Sequence, residues 1–237
     1  MQFFSKNKKN KGFTLAEVLI TIGIIGVVAS LTIPNLVSKY QKQETVTKYK
    51  KFYSVISQAF IASTAENGMP STWDWGTAPD NVTTERIIET YLVPYIAISK
   101  NCGFKTTGSC ERNRKYFLNG IKSLSIESRY QIALKDGAMI HLYLSNNVVD
   151  GPPTALFMWL DINGNNPPNL AGRDLFNIKF SISDNKPTPH GAGTSRDALL
   201  NSPNYGCSKV PEFAPGHFCG ALIQYDGWQI KDDYPWD

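Results

Sequence analysis

No aspartate or glutamate occurs in the first sixteen residues, and from Phe13 to Ile33 the only ionisable side chain is Glu17. With no acid to balance them, Lys6, Lys8, Lys9 and Lys11 make the tip a purely cationic segment. The chain has 24 Lys and Arg; less these four, 20 remain, equal to the 20 Asp and Glu. The formal +4 therefore belongs to the tip, and the remainder is neutral. Overall basicity gives no case for a nucleic-acid partner. Cysteine is limited to four residues with no C-x-x-C spacing, and His217 is the one histidine near a cysteine pair, which leaves a zinc site little support. None of Ser109, Ser195 and Ser202 lies in a G-x-S-x-G elbow, and Gly191-Ala-Gly193-Thr-Ser195 lacks the Gly-Lys-Ser/Thr ending of a phosphate loop. The chain does not read as an enzyme, and no internal repeat points to a solenoid.

What is present begins with Lys11-Gly12-Phe13-Thr14-Leu15-Ala16-Glu17-Val18-Leu19-Ile20. Phe13 to Ile33 is a run of Ile, Val, Leu and Gly long enough to span a hydrocarbon core of about 30 Å as a helix. The lysines before it keep the tip cytoplasmic, so the C-terminal bulk is exported. An acid in such a helix costs about 2.5–3.5 kcal/mol near the bilayer centre, so Glu17 calls for a partner. Cleavage after Gly12 would free an amine on Phe13, and that cation on a neighbouring copy would lie at the depth of Glu17. Small residues and a polar flank do not close the apolar run, as they would in a conventional signal peptide.

These residues resemble the N-terminus of type IV prepilins and type II secretion pseudopilins: a short basic leader, Gly at the cut, Phe next, Glu at the fifth mature position, then an apolar helix. The resemblance covers about the first fifty residues. It implies that Gly12 is the cleavage-site residue of a prepilin peptidase, that Phe13 becomes an N-methylated terminus, and that Glu17 aligns assembly. It further implies an α+β, pilin-like fold, with a long helix packed on an antiparallel sheet. Residues 1–12 would be the leader, 13–66 the helix (13–33 transmembrane and later filament core), and 67–237 the exported domain. The implied partners are the peptidase, other pilin or pseudopilin subunits and an inner-membrane assembly platform. The implied location is the bacterial inner membrane, then a periplasmic or surface filament. A minor tip subunit that binds a surface, DNA or cargo, and a membrane-tethered enzyme, are the alternatives.

Beyond the span, Pro34 is expected to kink the helix. Leu36, Tyr40, Val46, Tyr49, Tyr53, Ile56 and Phe60 then form a stripe that should face the domain. Asn67-Gly68, followed by Pro70, marks the helix end. Thr83 to Ile96 reads as a helix. Arg129–Leu134 and Ala138–Leu144 form a hairpin about Asp136-Gly137. Strands are expected over Ala155–Ile162 and Leu175–Ile182, and an exposed irregular region over Asn185–Pro215. The end, from Ala221 to Ile230, reads as a short helix or strand that packs Trp228.

An exported chain oxidises its cysteines. Three connectivities are open, and the local one, Cys102 with Cys110 and Cys207 with Cys219, is favoured because each closes a short polar loop. Asp161, Asn163, Asn165 and Asp174 lie in a Gly-punctuated loop rich in oxygen donors, which makes calcium the one candidate cofactor. Some pseudopilins carry a calcium loop, though these residues match no such motif position by position, and Asx turns are the structural alternative. His141, His190 and His217 lie scattered over one strand and two loops. Among the tryptophans, Trp73 and Trp75 are expected at the surface.

Overall fold

The computed structural model describes residues 12–104, 110, 113–126, 128–146, 152–210 and 213–236. The chain divides into two compact units, Met1–Lys42 and Gln43–Asp237. The lysine tip and Ser109 lie outside the described residues.

Helix α1 (Leu15–Asn67) begins in the first unit and ends in the second. Its most apolar window of 18 residues has mean hydropathy 2.2, and none of that window is buried. By length and composition this helix can cross a membrane. Ile and Val are mediocre helix formers in water, but a backbone in hydrocarbon must satisfy its polar groups internally. The hydroxyls obey the same constraint: Thr21, Ser30 and Thr32 donate to the carbonyls of Glu17, Val27 and Val28 at 2.6, 2.8 and 2.9 Å. Pro34 lies within α1, and the helix continues through it without a break.

In the second unit α1 buries Tyr49, Phe52, Ile56, Ala59, Phe60 and Ser63, and Val46 and Tyr53 pack at the margin. The apolar stripe thus packs from Val46 onward, whereas Leu36 and Tyr40 are exposed. Gly68 ends the helix with φ +77°, a conformation in which glycine lacks the Cβ penalty.

The core sheet is antiparallel, in the order β1 (Ile98–Gly103), β4 (Tyr130–Leu134), β5 (Met139–Ser145), β6 (Ala155–Asp161), β7 (Leu175–Ser181), β8 (Lys186–Pro189). A separate pair joins β2 (Lys115–Tyr116) to β3 (Ser123–Leu124). The edges of the six-stranded sheet are blunted: β1 pairs with two register shifts, and β8 carries Pro187 and Pro189. The expected helix over Thr83–Ile96 is shorter. Helix α2 covers Asn81–Tyr91, capped by the Asp80 carboxylate on Thr83 N–H at 2.7 Å, and Pro94 shifts the chain into a 3₁₀ turn. The region from Asn185 to Pro215 is not wholly irregular, since it supplies β8 and helix α3 (Arg196–Asn201). Helix α4 (Cys219–Tyr225) follows.

One sheet face, led by Ile132, Leu142, Met158, Phe176 and Phe180, packs on α1, α2 and α4. The aromatic side chains interlock there: Phe60 stacks on Phe180 at 4.0 Å, and Trp73 on Tyr91 at 4.2 Å. Trp73 and Trp75 are therefore core residues rather than surface aromatics. Their indole N–H groups reach the Gly68 and Pro70 carbonyls at 2.9 and 2.6 Å, which makes their burial affordable. The other face is covered too, by Phe117, Leu124, Ile126, Ala171 and Ala214 over Trp159 and Leu175.

Tyr49 stacks on Phe176 at 4.2 Å and is fully buried, and its hydroxyl has no hydrogen-bond partner among the described residues. Burial holds this phenol well above its ordinary pKa, so it stays neutral. A Cβ on Gly220 of α4 would lie 2.5 Å from that oxygen. Tyr49→Phe should raise stability by about 1 kcal/mol by removing an unsatisfied group. Gly220→Ala should cost about 1–3 kcal/mol through overpacking, and less in the Tyr49→Phe background. A double-mutant cycle of urea melts on the detergent-solubilised chain measures both.

Candidate functional site

The start of α1 holds the first candidate site. Thr14 N–H and Oγ–H both donate to one Glu17 carboxylate oxygen at 2.8 Å, and Glu17 N–H donates to Thr14 Oγ at 3.2 Å. This reciprocal pattern is a capping box, which satisfies two orphan N–H groups of the first turn and sets a carboxylate at the positive end of the helix dipole. Within one subunit Glu17 is thus already partnered by Thr14. The T-x-x-E spacing before an apolar run is the sequence signal for this role of Thr14. Phe13 projects into the open at 88% exposure, and Gly12 is exposed beside it.

The second site is a buried ionic centre. Lys115, at the start of β2, is fully buried, and its ammonium lies 2.6 Å from Asp161 Oδ2 and 2.6 Å from the Gly164 carbonyl, with Asn169 Oδ1 as a third acceptor. Asp161 closes β6, and its other oxygen accepts from Asn163 N–H at 3.2 Å. Asp174 accepts from the N–H groups of Asn169 and Leu170, both at 2.7 Å, and so folds the loop back onto itself. Burial pushes the Asp161 carboxyl up to about 7, against the pull of the Lys115 ammonium. Burial also raises Asp174, against its two backbone donors.

In this geometry a lysine ammonium occupies the loop in which calcium was expected. The loop does gather oxygens, but those of Asp161, the Gly164 carbonyl and Asn169 converge on Lys115, which comes from the distant strand β2. Asn163 and Asn165 turn their amides to the carbonyls of Pro167 and Cys110, at 3.1 and 3.0 Å. Among the described residues no group of three or more His, Cys, Asp or Glu could hold a metal ion. The lysine supplies the positive charge that the buried carboxylate requires.

Residues 35–237 match the model of a family of unknown function, DUF6613, and residues 7–33 match the prokaryotic N-terminal methylation motif. The chain belongs to DUF6613 and carries a prepilin-type N-terminus. It is similar to the type IV major pilin protein PilA of Myxococcus xanthus (strain DK1622), at 35% identity over 57 residues, which are 23% of this chain and 26% of that protein. It is also similar to the type II secretion system core protein G of Pectobacterium carotovorum subsp. carotovorum, at 34% identity over 64 residues, 27% of this chain and 41% of that one. The match thus spans about a quarter of the first relative and two fifths of the second. No solved structure matches.

The remaining predicted residues of this DUF6613 chain fall into structural places. Both disulfides have the local connectivity, Cys102–Cys110 and Cys207–Cys219. Ser195 caps α3 by accepting from Ala198 N–H at 3.2 Å, and Ser202 accepts from Tyr205 N–H. Arg196 is gripped by Asp226 and Asp233 at 2.8 Å, an ion-pair network tying α3 to the C-terminal segment. His190 and His217 are brought together on the second face of the sheet, which nothing in their sequence spacing announced.

Proposed function

We propose that this protein is a structural pilin-like subunit, cleaved after Gly12 by a prepilin peptidase and polymerised into a type IV pilus or a type II secretion pseudopilus. The observation that carries this reading is the lone acid of the exposed apolar stretch 13–33, held in a capping box that begins at Thr14, next to an exposed Phe13. Its prepilin-type N-terminus and its similarity to a named pilin and a named secretion protein support it. In the inner membrane the Thr14 donors compensate the Glu17 charge. After cleavage, the Phe13 amine of a neighbour offers a full positive charge instead, and pairing in a medium of low dielectric favours it. The apolar halves of the helices then form the filament core, and the sheet domains form its shell. The mechanism is assembly without turnover.

The experiment separates the charge from the cap. Thr14→Ala keeps the carboxylate and should still enter sheared filaments, whereas Glu17→Gln keeps a capping side chain but loses the charge and should drop at least tenfold in the filament fraction while remaining in the membrane. Wild-type incorporation of Glu17→Gln would defeat the pairing. N-terminal sequencing of mature protein should begin at Phe13.

A further inference from the structure

All three histidines of the chain lie on one face of the sheet. His141 in β5 is the cross-strand neighbour of Trp159 in β6, and Trp159 meets the His217 ring edge-on at 4.7 Å. His217 in turn faces His190, with their Nδ1 atoms 3.4 Å apart. Phe117 stacks on His217, Phe157 and Phe218 meet His190 edge-on, and Tyr205 packs on both rings. Two imidazole nitrogens at this distance attract only if one carries a proton and the other a lone pair, so the neutral rings hold complementary tautomers.

An added proton would place a full charge among aromatic rings, and a second would set two N–H groups face to face. The charged groups acting on the pair are cations: Lys179 of β7 on His190, and Arg129, lying over the Tyr143 ring, on His217. The other titratable neighbours on the elements packed here are Tyr205, Tyr143 and His141, whose pKa burial pushes down to about 3. Burial likewise takes His217 to about 3 and His190 to about 4. Each folded value lies below the ordinary 6.5. The closed arrangement therefore binds fewer protons than an open one, and its advantage is lost as pH falls from about 6.5 toward 4.

The pair joins two parts of the chain. His190 follows β8, with its N–H bonded to the Asn177 carbonyl of β7 at 3.0 Å. His217 lies in a double segment, 204–206 with 214–218, knitted by Ala214 N–H to Asn204, Gly216 N–H to Gly206 and Phe218 N–H to Tyr205, and closed by Cys207–Cys219. That double segment covers Trp159.

We propose that the His190–His217 pair is an acid-released latch: while both rings are neutral it holds segments 204–206 and 214–218 on the second face of the sheet, and in an acidic medium their protonation lets these segments lift, tethered by Cys207–Cys219. The test is hydrogen–deuterium exchange on the full chain in detergent at pH 7 and pH 5, corrected for intrinsic exchange. Exchange of the Leu118 and Gly206 amides, whose bonds to the Pro215 and Ser202 carbonyls tie the double segment to the rest of the chain, should rise by roughly twentyfold for each ring freed, with β5 and β6 still protected. His190→Gln and His217→Gln cannot take up the proton, and each should lose its ring's share of that rise. If one variant fails to fold, the other carries the comparison. Ring titration of wild-type histidines by NMR should follow the amide release. A flat wild-type profile, a rise shared by β5 and β6, an undiminished rise in the variants, or titration without release overturns the latch. So does protection of these amides by Zn²⁺ at neutral pH that EDTA reverses, which would make the two nitrogens metal ligands.

Discussion

Lys115→Met should cost the domain about 3–5 kcal/mol, because removing one partner of a buried ion pair leaves the other charge without compensation. Methionine matches the length of the stem but brings no donor, so Asp161, the Gly164 carbonyl and Asn169 all lose their shared partner. The carboxyl has one remedy, which is to take up a proton. Its pKa is already raised to about 7, and without the ammonium it should rise further. A carboxyl whose folded pKa exceeds the unfolded value binds more protons in the folded state. Stability therefore falls as pH rises from about 4 through the folded value. The loss in Lys115→Met should be smallest near pH 5 and largest near pH 8. Adding Asp161→Asn should recover part of it and flatten the pH profile. Denaturant melts of the wild type and of both variants at both pH values decide the matter; equal losses at pH 5 and pH 8 would show that the cost is packing rather than an unpaired charge.

Gly164→Ala should be comparably damaging, at about 3 kcal/mol or more, for two independent reasons. Gly164 has φ +66°, which an L side chain adopts only at a cost, and an added Cβ would overlap the Gly137 carbonyl oxygen. That oxygen is backbone at the tip of the β4–β5 hairpin, so no rotamer change relieves the clash. The same residue accepts from Lys115, and any shift that makes room for a methyl moves its carbonyl away from the ammonium. The two substitutions should consequently be less than additive, since each breaks the same cage. A melt of the double variant checks this; strict additivity would mean that the turn and the ionic centre are independent.

The legible parts of this protein are those whose cause is local. The 3.6-residue stripe on α1, the Asp136-Gly137 turn and the apolar runs of β6 and β7 each depend on neighbours in sequence. The observed elements, β4 (Tyr130–Leu134), β5 (Met139–Ser145), β6 (Ala155–Asp161) and β7 (Leu175–Ser181), lie within a residue or two of their expected limits. Structure departs from the local pattern where distant segments decide. Trp73 and Trp75 sit in a polar, turn-rich stretch and were expected outside, yet Phe60, Tyr91 and Phe180 close around them. Likewise Pro187 and Pro189 suggested irregular chain, but an edge strand tolerates proline because its outer N–H positions need no partner.

The second face of the sheet shows the same division. His141 alternates with apolar residues, and alternation normally means one wet face. Here a layer of loops covers that face, so His141, Asn177 and Gln131 are buried. Loop coverage depends on Cys207–Cys219 and on chain returning from residues 113–126, 204–206 and 214–218, which no periodicity encodes.

The amino-acid order alone determined the apolar anchor, its single acid, the cationic tip and the alternating strands, because each is a property of adjacent side chains and their preference for lipid, water or a pleated surface. Only the tertiary structure decided that a lysine fills the oxygen-rich loop, that two histidines face each other and that the indoles turn inward. Those outcomes depend on which groups meet after chain segments tens of residues apart are packed, and burial then changes what each charge costs.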